Sequence, residues 1–222
     1  MGLKSLKKLL IDLTMWDPKN KRGVGDYCSS IFNHIKRCES KYRIVVILRN
    51  SLKEDIKNSS LVNSFQIIYT VFINQPIFEQ IILPFYLYSE KPDVLHSPAN
   101  TGPLIRPKNL KFIVTVHDTV FLSEKNIVKP KSIYSSIGWM YRKLIFPKII
   151  INANEIITVS NFVKNQVQLF LGKKNETSIK TIYHGKNINT SDKNLKTFNH
   201  KWLTISGDIE HKNVKNILNL FN

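Results

Sequence analysis

Arg43-Ile44-Val45-Val46-Ile47-Leu48 is a run of five apolar residues behind one charge, four of them β-branched. Polar residues do not alternate with apolar ones, so this strand expects cover on both faces, the pattern of a parallel sheet between helical layers. Working outward, strands are predicted at Leu9–Thr14, Phe65–Ile73, Val94–His96, Phe112–His117, Glu155–Val159 and Thr177–Tyr183. Helical patterns fall between them. Gly23–Ser40 places Tyr27, Ile31, His34 and Ile35 near one face, and Pro76 opens a helix through Phe78, Ile82, Phe85 and Tyr86 with a kink at Pro84. Tyr134–Asn152 is helical with a break at Pro147, and Ser160 caps a helix running to Leu171. Alternating strands and helices of these lengths predict an α/β fold with a Rossmann-like, doubly wound parallel sheet.

Residues 1–186 form one domain in this reading. The polar, aperiodic stretch 187–200 reads as a linker. Trp202–Ser206 starts a new strand and Asn213 a final amphipathic helix, so 201–222 reads as the start of a second domain that is truncated. One strand and one helix cannot build a core of their own.

Charge is the outlier in composition. The 222 residues carry 33 Lys and Arg against 16 Asp and Glu, a net charge of +17. Such a field attracts nucleic acid, anionic lipid or phosphorylated substrates. The lysines are scattered, with clusters at Lys4, Lys7, Lys8 and at Lys19, Lys21, Arg22. There is no arginine-rich tract, no interleaved aromatic platform and no zinc-finger spacing, which places nucleic acid behind the other partners. No apolar stretch reaches about 18 residues, so no membrane span is expected. The basic start is followed by a short apolar run interrupted by Asp12, unlike a secretory signal. Leu6 stands where myristoylation wants Ser or Thr. On one helix, Cys28 and Cys38 would lie about 15 Å apart in rise, too far for a disulfide, so a reducing, cytoplasmic setting is expected.

In doubly wound sheets ligands bind beyond the carboxyl ends of the strands, and three loops there stand out. Arg22-Gly23-Val24-Gly25-Asp26-Tyr27 puts two glycines at a helix start, where bare N–H groups and the helix dipole favour an anion. It is not a dinucleotide fingerprint, because Cys28 holds the third glycine position and the preceding loop is long. Thr115-Val116-His117-Asp118 ends a buried strand with a histidine able to donate to a hydroxyl or phosphate, or else to sit satisfied in the core while Asp118 caps the next turn. Ile157-Thr158-Val159-Ser160-Asn161-Phe162 starts a helix at the same edge, with Ser160 as its cap.

In succession these pieces resemble the family 4 glycosyltransferases of the GT-B fold. Gly23-Val24-Gly25-Asp26-Tyr27 resembles the family's early glycine loop. Phe78-Glu79-Gln80 with Leu83-Pro84 resembles its aromatic-Glu-Gln helix. Asp93-Val94-Leu95-His96-Ser97-Pro98 and Thr101-Gly102-Pro103-Leu104 resemble bacterial polysaccharide mannosyltransferase-like members. Val114–Asp118, Ile156–Phe162 and Ile182-Tyr183-His184-Gly185 follow in order. Ile205-Ser206-Gly207 and His211-Lys212-Asn213 resemble the opening of the second domain. Asp26, Asn187 and Asp208 depart from residues frequent in the family, and its paired-glutamate motif has no counterpart here.

The resemblance implies two Rossmann-like domains across a cleft, the first binding acceptor and the second a nucleotide-sugar. Transfer would retain configuration, with no metal and no cofactor, moving a hexose such as mannose from a donor such as GDP-mannose onto a polysaccharide or lipid-linked acceptor. His117 and Asp118 would be catalytic. Gly23, Val24, Gly25, Ser160, Gly207 and Lys212 would surround the donor phosphates and the acceptor, with Lys212 neutralising the leaving diphosphate. A separate chain supplying the donor domain and peripheral contact with an anionic inner membrane face are expected partners. The alternatives are an inactive acceptor-domain binding module and, behind it, a basic nucleic-acid-binding domain.

Overall fold

A computed structural model of the chain describes residues 6–17, 23–35, 41–57, 59, 62–122, 132–172 and 177–185. Seven strands form one wholly parallel sheet: β1 Lys7–Asp12, β2 Tyr42–Arg49, β3 Gln66–Thr70, β4 Val94–Ser97, β5 Lys111–Val116, β6 Glu155–Thr158 and β7 Ser178–Thr181. Their order is β3-β2-β1-β4-β5-β6-β7. The chain winds outward from β1 to β3, crosses back to β4 and winds outward again, so the topological switch lies between β1 and β4. Each strand lies within two or three residues of its predicted start and end. The linker at 187–200, the segment 201–222, Gly207 and Lys212 lie outside the described residues.

Strand periodicity sorts the apolar side chains onto two faces. Leu10, Val45 and Ile47 join one core with Phe78, Leu87, Phe146, Ile149 and Val167. Their neighbours Ile11, Ile44, Val46 and Leu48 join another with Cys28, Phe32, Leu52 and Ile56. The second face is therefore covered by α1 Gly23–His34 and the short α2 Lys53–Ile56. The first is covered by α3 Gln75–Ile77, α4 Leu83–Glu90, α5 Ile133–Asn152 and α6 Asn161–Leu171. The five-residue apolar run in β2 is fully used: Ile44 to Leu48 are all buried.

Three local expectations change. On α1 the buried positions are Gly25, Cys28 and Phe32, with Ile35 just beyond, while His34 is exposed and Tyr27 and Ile31 are half-buried. The inward stripe is thus rotated from the one the sequence suggested. Pro147 lies inside α5 without ending it. It costs one backbone bond, but Phe146, Ile149 and Ile150 around it are fully buried and hold the helix to the sheet. Before Pro84, the turn over Phe78–Ile82 widens to a π-helix in which the Leu83 N–H reaches the Phe78 carbonyl, a register in which a proline at the next position interrupts less. Asn74 caps α3 by accepting from the Ile77 N–H at 2.9 Å.

The loop after β4 is packed against the sheet at Gly102. A Cβ there would lie 2.9 Å from both Phe112 Cζ and Ser97 Oγ. Both residues are almost fully buried. Gly102→Ala is expected to cost about 1–3 kcal/mol through overpacking, read as a lower urea midpoint with an unchanged m-value. Gly23→Ala, where the added Cβ meets open space, is expected to leave the midpoint nearly unchanged.

Candidate functional site

Parallel strands put all their carboxyl ends on one edge, and that edge gathers the polar residues. β5 ends at Val116, and the next residue, His117, is clamped from two sides. Its backbone N–H donates to Asn100 Oδ1 at 2.7 Å, and its ring Nε2 lies 2.7 Å from the Pro98 carbonyl. A carbonyl only accepts, so Nε2 carries the proton and Nδ1 is the lone-pair nitrogen of the neutral ring. Burial holds the His117 pKa below the ordinary histidine range, with the His184 ring adding to the effect and the Pro98 bond and Asp118 opposing it. The sequence left two readings for His117, a donor to a ligand or a ring satisfied in the core. In this geometry the neutral ring donates to Pro98 and offers Nδ1 as an acceptor.

Asn100 makes the clamp. It is buried and sits in the left-handed region at φ 45°, which Asn tolerates better than most residues. Its N–H donates to the Thr115 carbonyl at 2.9 Å and its Nδ2 to Asp118 Oδ2 at 3.4 Å. The other Asp118 oxygen accepts from the Val120 N–H at 3.3 Å. Asp118 therefore positions Asn100 and caps the turn Val120–Leu122, the structural alternative the sequence left open.

Tyr27, His117 and His184 form a ring cluster from α1, β5 and the segment after β7. Tyr27 stacks on His184 with centroids 4.8 Å apart, and His117 meets both edge-on at 5.1 and 5.3 Å. Beneath them Thr115 Oγ1 lies 3.2 Å from the Tyr27 hydroxyl and 2.9 Å from His96 Nε2. Burial, with a smaller contribution from His117, lowers His96 to about 4, so it is a neutral framework group. The cluster ties the start of α1 to the ends of β4, β5 and β7 around the switch point. Gly23, Val24 and Gly25 form the first turn of that same α1. Ser160 follows β6 at the same edge and accepts from the Val163 N–H at 3.2 Å as the cap of α6.

A second network fixes the loop that carries Pro98 and Asn100. Glu79 is 3% exposed. Its Oε1 accepts from Gln75 Nε2 at 2.9 Å and from Thr101 Oγ1 at 2.7 Å, and its Oε2 from the Tyr141 hydroxyl at 2.6 Å. Gln80 donates to the Gly102 carbonyl at 3.0 Å and to the Tyr141 oxygen at 2.7 Å, and accepts from the Leu104 N–H at 3.2 Å. The Phe78-Glu79-Gln80 and Thr101-Gly102-Pro103-Leu104 motifs are thus two halves of one contact. The π turn lets two consecutive side chains reach the same loop.

Sequence reasoning missed Thr115, His96, Tyr27 and His184 as a cluster. Each sat inside a quoted motif, but no spacing rule joins four segments that only the strand order brings together. Of the N-terminal lysines, Lys7 is exposed and Lys8 is paired with Glu90 at 3.4 Å. Both lie at the amino end of β1, about 13–17 Å from its other end, so they face away from the crevice. Lys4 lies outside the described residues. No helix among the described residues is long and apolar enough to cross a membrane.

A Rossmann-like parallel sheet with a polar cluster at its carboxyl edge is an α/β domain of the kind in which ligands bind at the switch point. The comparisons give the particular family. The model of Glycosyltransferase Family 4 matches residues 31–189, more than two thirds of the chain, including His117, Asp118 and Ser160. The chain belongs to Glycosyltransferase Family 4. The matched span begins after Gly23, Val24 and Gly25. Among solved structures, a sucrose-phosphate synthase from Thermosynechococcus elongatus is similar at 12% identity, over 82% of this chain and 90% of that one, with a TM-score of 0.45. No curated protein matches the chain.

Burial pushes Glu79 up to about 7 from an ordinary 4.5, against three hydrogen bonds that lower it. The folded chain thus holds this proton after the unfolded chain has lost it, so stability falls as pH rises from about 4.5 to about 7. Glu79→Gln is expected to remove that component, worth up to about 3 kcal/mol. Urea denaturation of both proteins across this pH window reads the difference in slope.

Proposed function

We propose that the chain is the acceptor-side domain of a retaining, nucleotide-sugar-dependent GT-B glycosyltransferase that moves a hexose such as mannose, from a donor such as GDP-mannose, onto a polysaccharide or lipid-linked acceptor. The observation that carries the reading is the clamped His117. Its tautomer is imposed by Pro98 and its backbone by Asn100, so one acceptor nitrogen is held in a fixed direction at the carboxyl edge. A sugar hydroxyl donating to Nδ1 would be positioned without reorganising the ring. Low ring basicity keeps that lone pair available at neutral pH. Tyr27 and His184 brace the ring and narrow its motion.

The first turn of α1 supplies the second component. The N–H groups and dipole of a helix start favour a donor phosphate, and among the described residues no atom lies within 4 Å of a Cβ built on Gly23. Asp118 acts here through Asn100, as a positioning residue for His117. Ser160 keeps a hydroxyl proton at the same edge for a ligand oxygen. Donor contacts from Gly207 and Lys212, or from a domain on a separate chain, would close the cleft over this edge.

The test is sugar transfer from labelled nucleotide-sugars to a membrane lipid and glycan extract. His117→Ala is expected to lower transfer about 10- to 100-fold, the worth of a hydrogen bond of about 1–3 kcal/mol, and also to lower the urea midpoint, because the ring bonds Pro98 and packs on Tyr27 and His184; transfer is compared under conditions where both proteins are folded. Transfer by His117→Ala at the full rate would contradict the assignment. Acceptor binding with no transfer by the parent chain would favour the inactive binding module.

A further inference from the structure

The two helical layers differ in what they show to solvent. On α1 and α2 no large hydrophobic side chain is exposed. On the other layer, three helices each carry an exposed hydrophobic row. Ile133, Ile137, Met140, Leu144 and Ile151 recur at three-, four- and seven-residue spacing along α5, on the side away from buried Phe146, Ile149 and Ile150. Ile81, Phe85 and Tyr88 do the same across the π turn and α4, away from buried Leu83 and Leu87. Phe162 and Leu169 stand seven positions apart on α6. All ten are more than half exposed. A solvated helix face normally carries polar residues, so three such rows side by side call for a cover.

The rows adjoin. Tyr141 of α5 bonds Gln80 of the π turn, and α5 packs on α6. A helix as long as α5 spans about 30 Å and packed helices lie about 8–10 Å apart, so the face is on the order of 500 Å², at the upper end of what a monomeric protein exposes. Charge on it is one-sided. The sequences of α5 and α6 hold Arg142, Lys143, Lys148 and Lys164 and no Asp or Glu. Lys148 is exposed and falls within the α5 row. The one carboxylate of α4, Glu90, is paired with Lys8. A hydrophobic face edged with cations, on a chain of net charge +17, complements an anionic bilayer surface. A second copy would bring the same cations, with no carboxylate on α5 or α6 to meet them.

We propose that this outer face of α4, α5 and α6 docks on the surface of an anionic membrane, with the three hydrophobic rows among the lipid headgroups and Lys148 against their phosphates. Each of these helices follows a parallel strand and therefore starts at the carboxyl edge. Ile81, Ile133 and Phe162 stand at those starts, so docking sets the crevice beside the membrane surface. Docking is separate from glycosyl transfer and does not require it.

The test is sedimentation of the full chain with vesicles of phosphatidylcholine, alone or mixed with phosphatidylglycerol. Binding is expected to saturate on the mixed vesicles, to be about tenfold or more weaker on phosphatidylcholine alone, and to fall in high salt. Phe85→Asp and Met140→Asp, both at exposed positions, are each expected to weaken it about tenfold or more with an unchanged urea midpoint. Lys148→Glu is expected to weaken it more than Lys7→Glu, which makes the same charge change on the α1 side of the sheet, in step with Leu9 and Ile11. No vesicle binding, binding indifferent to Phe85→Asp and Met140→Asp, or equal losses at Lys148 and Lys7 would overturn the proposal. So would a dimer in light scattering that Met140→Asp splits, since a second copy would then be the cover. Vesicle binding without sugar transfer keeps the docking face and loses the enzymatic reading. Transfer to a soluble glycan by a chain that binds no vesicle does the reverse.

Discussion

The Glu79 carboxyl accepts from Gln75 on α3, Thr101 on the loop after β4 and Tyr141 on α5, and the geometry of the carboxyl edge follows from that contact. A buried carboxyl is tolerated only when its lone pairs are met, so three segments far apart in sequence are held to one point. The loop so fixed presents the Pro98 carbonyl and the Asn100 side chain to His117. The left-handed backbone at Asn100 is held by its own bonds to Thr115 and His117 and by the anchoring of Thr101 on Glu79. The opposite edge of the sheet is held by plainer means, with Glu155 between Lys111 and Lys180 at 3.1 and 2.6 Å. The polar network and simple ion pairing thus sit at opposite ends of the strands.

The fold was legible because its signals are local. The Ile44–Leu48 run needs cover on both faces, and β-branched runs alternating with helical patterns leave few topologies besides a doubly wound parallel sheet. Errors fell where tertiary packing overrides local preference. Pro147 would end an isolated helix but not one whose flanking Phe146, Ile149 and Ile150 are sunk in the core. The inward stripe of α1 was misplaced because Tyr27 and His34 look like core partners by spacing, whereas Tyr27 is drawn toward Thr115 and the histidine rings and His34 bonds its own helix at the Ser30 carbonyl, 2.8 Å away.

The site was legible as a set of loops and hardly at all as an arrangement. His117 was singled out by its place at a strand end. Its tautomer depends on the Pro98 carbonyl and its partners on α1 and the segment after β7, none of which a strand-end rule can supply. Glu79 and Gln80 were visible only as a motif. Their purpose appears when the π turn and the loop at Thr101–Leu104 are seen to meet.

The central claim is that sugar is received at the carboxyl edge by a neutral His117 whose Nε2–H is held by Pro98. Long-range nitrogen–proton NMR of the histidine rings measures this directly. The account predicts that the free chain at neutral pH shows His117 as the Nε2–H tautomer. Titration with a nucleotide-sugar and acceptor should then move its Nδ1 resonance while exposed His34 stays in place. A proton on Nδ1 in the free chain, or a His117 ring unmoved at saturating ligand, would contradict it.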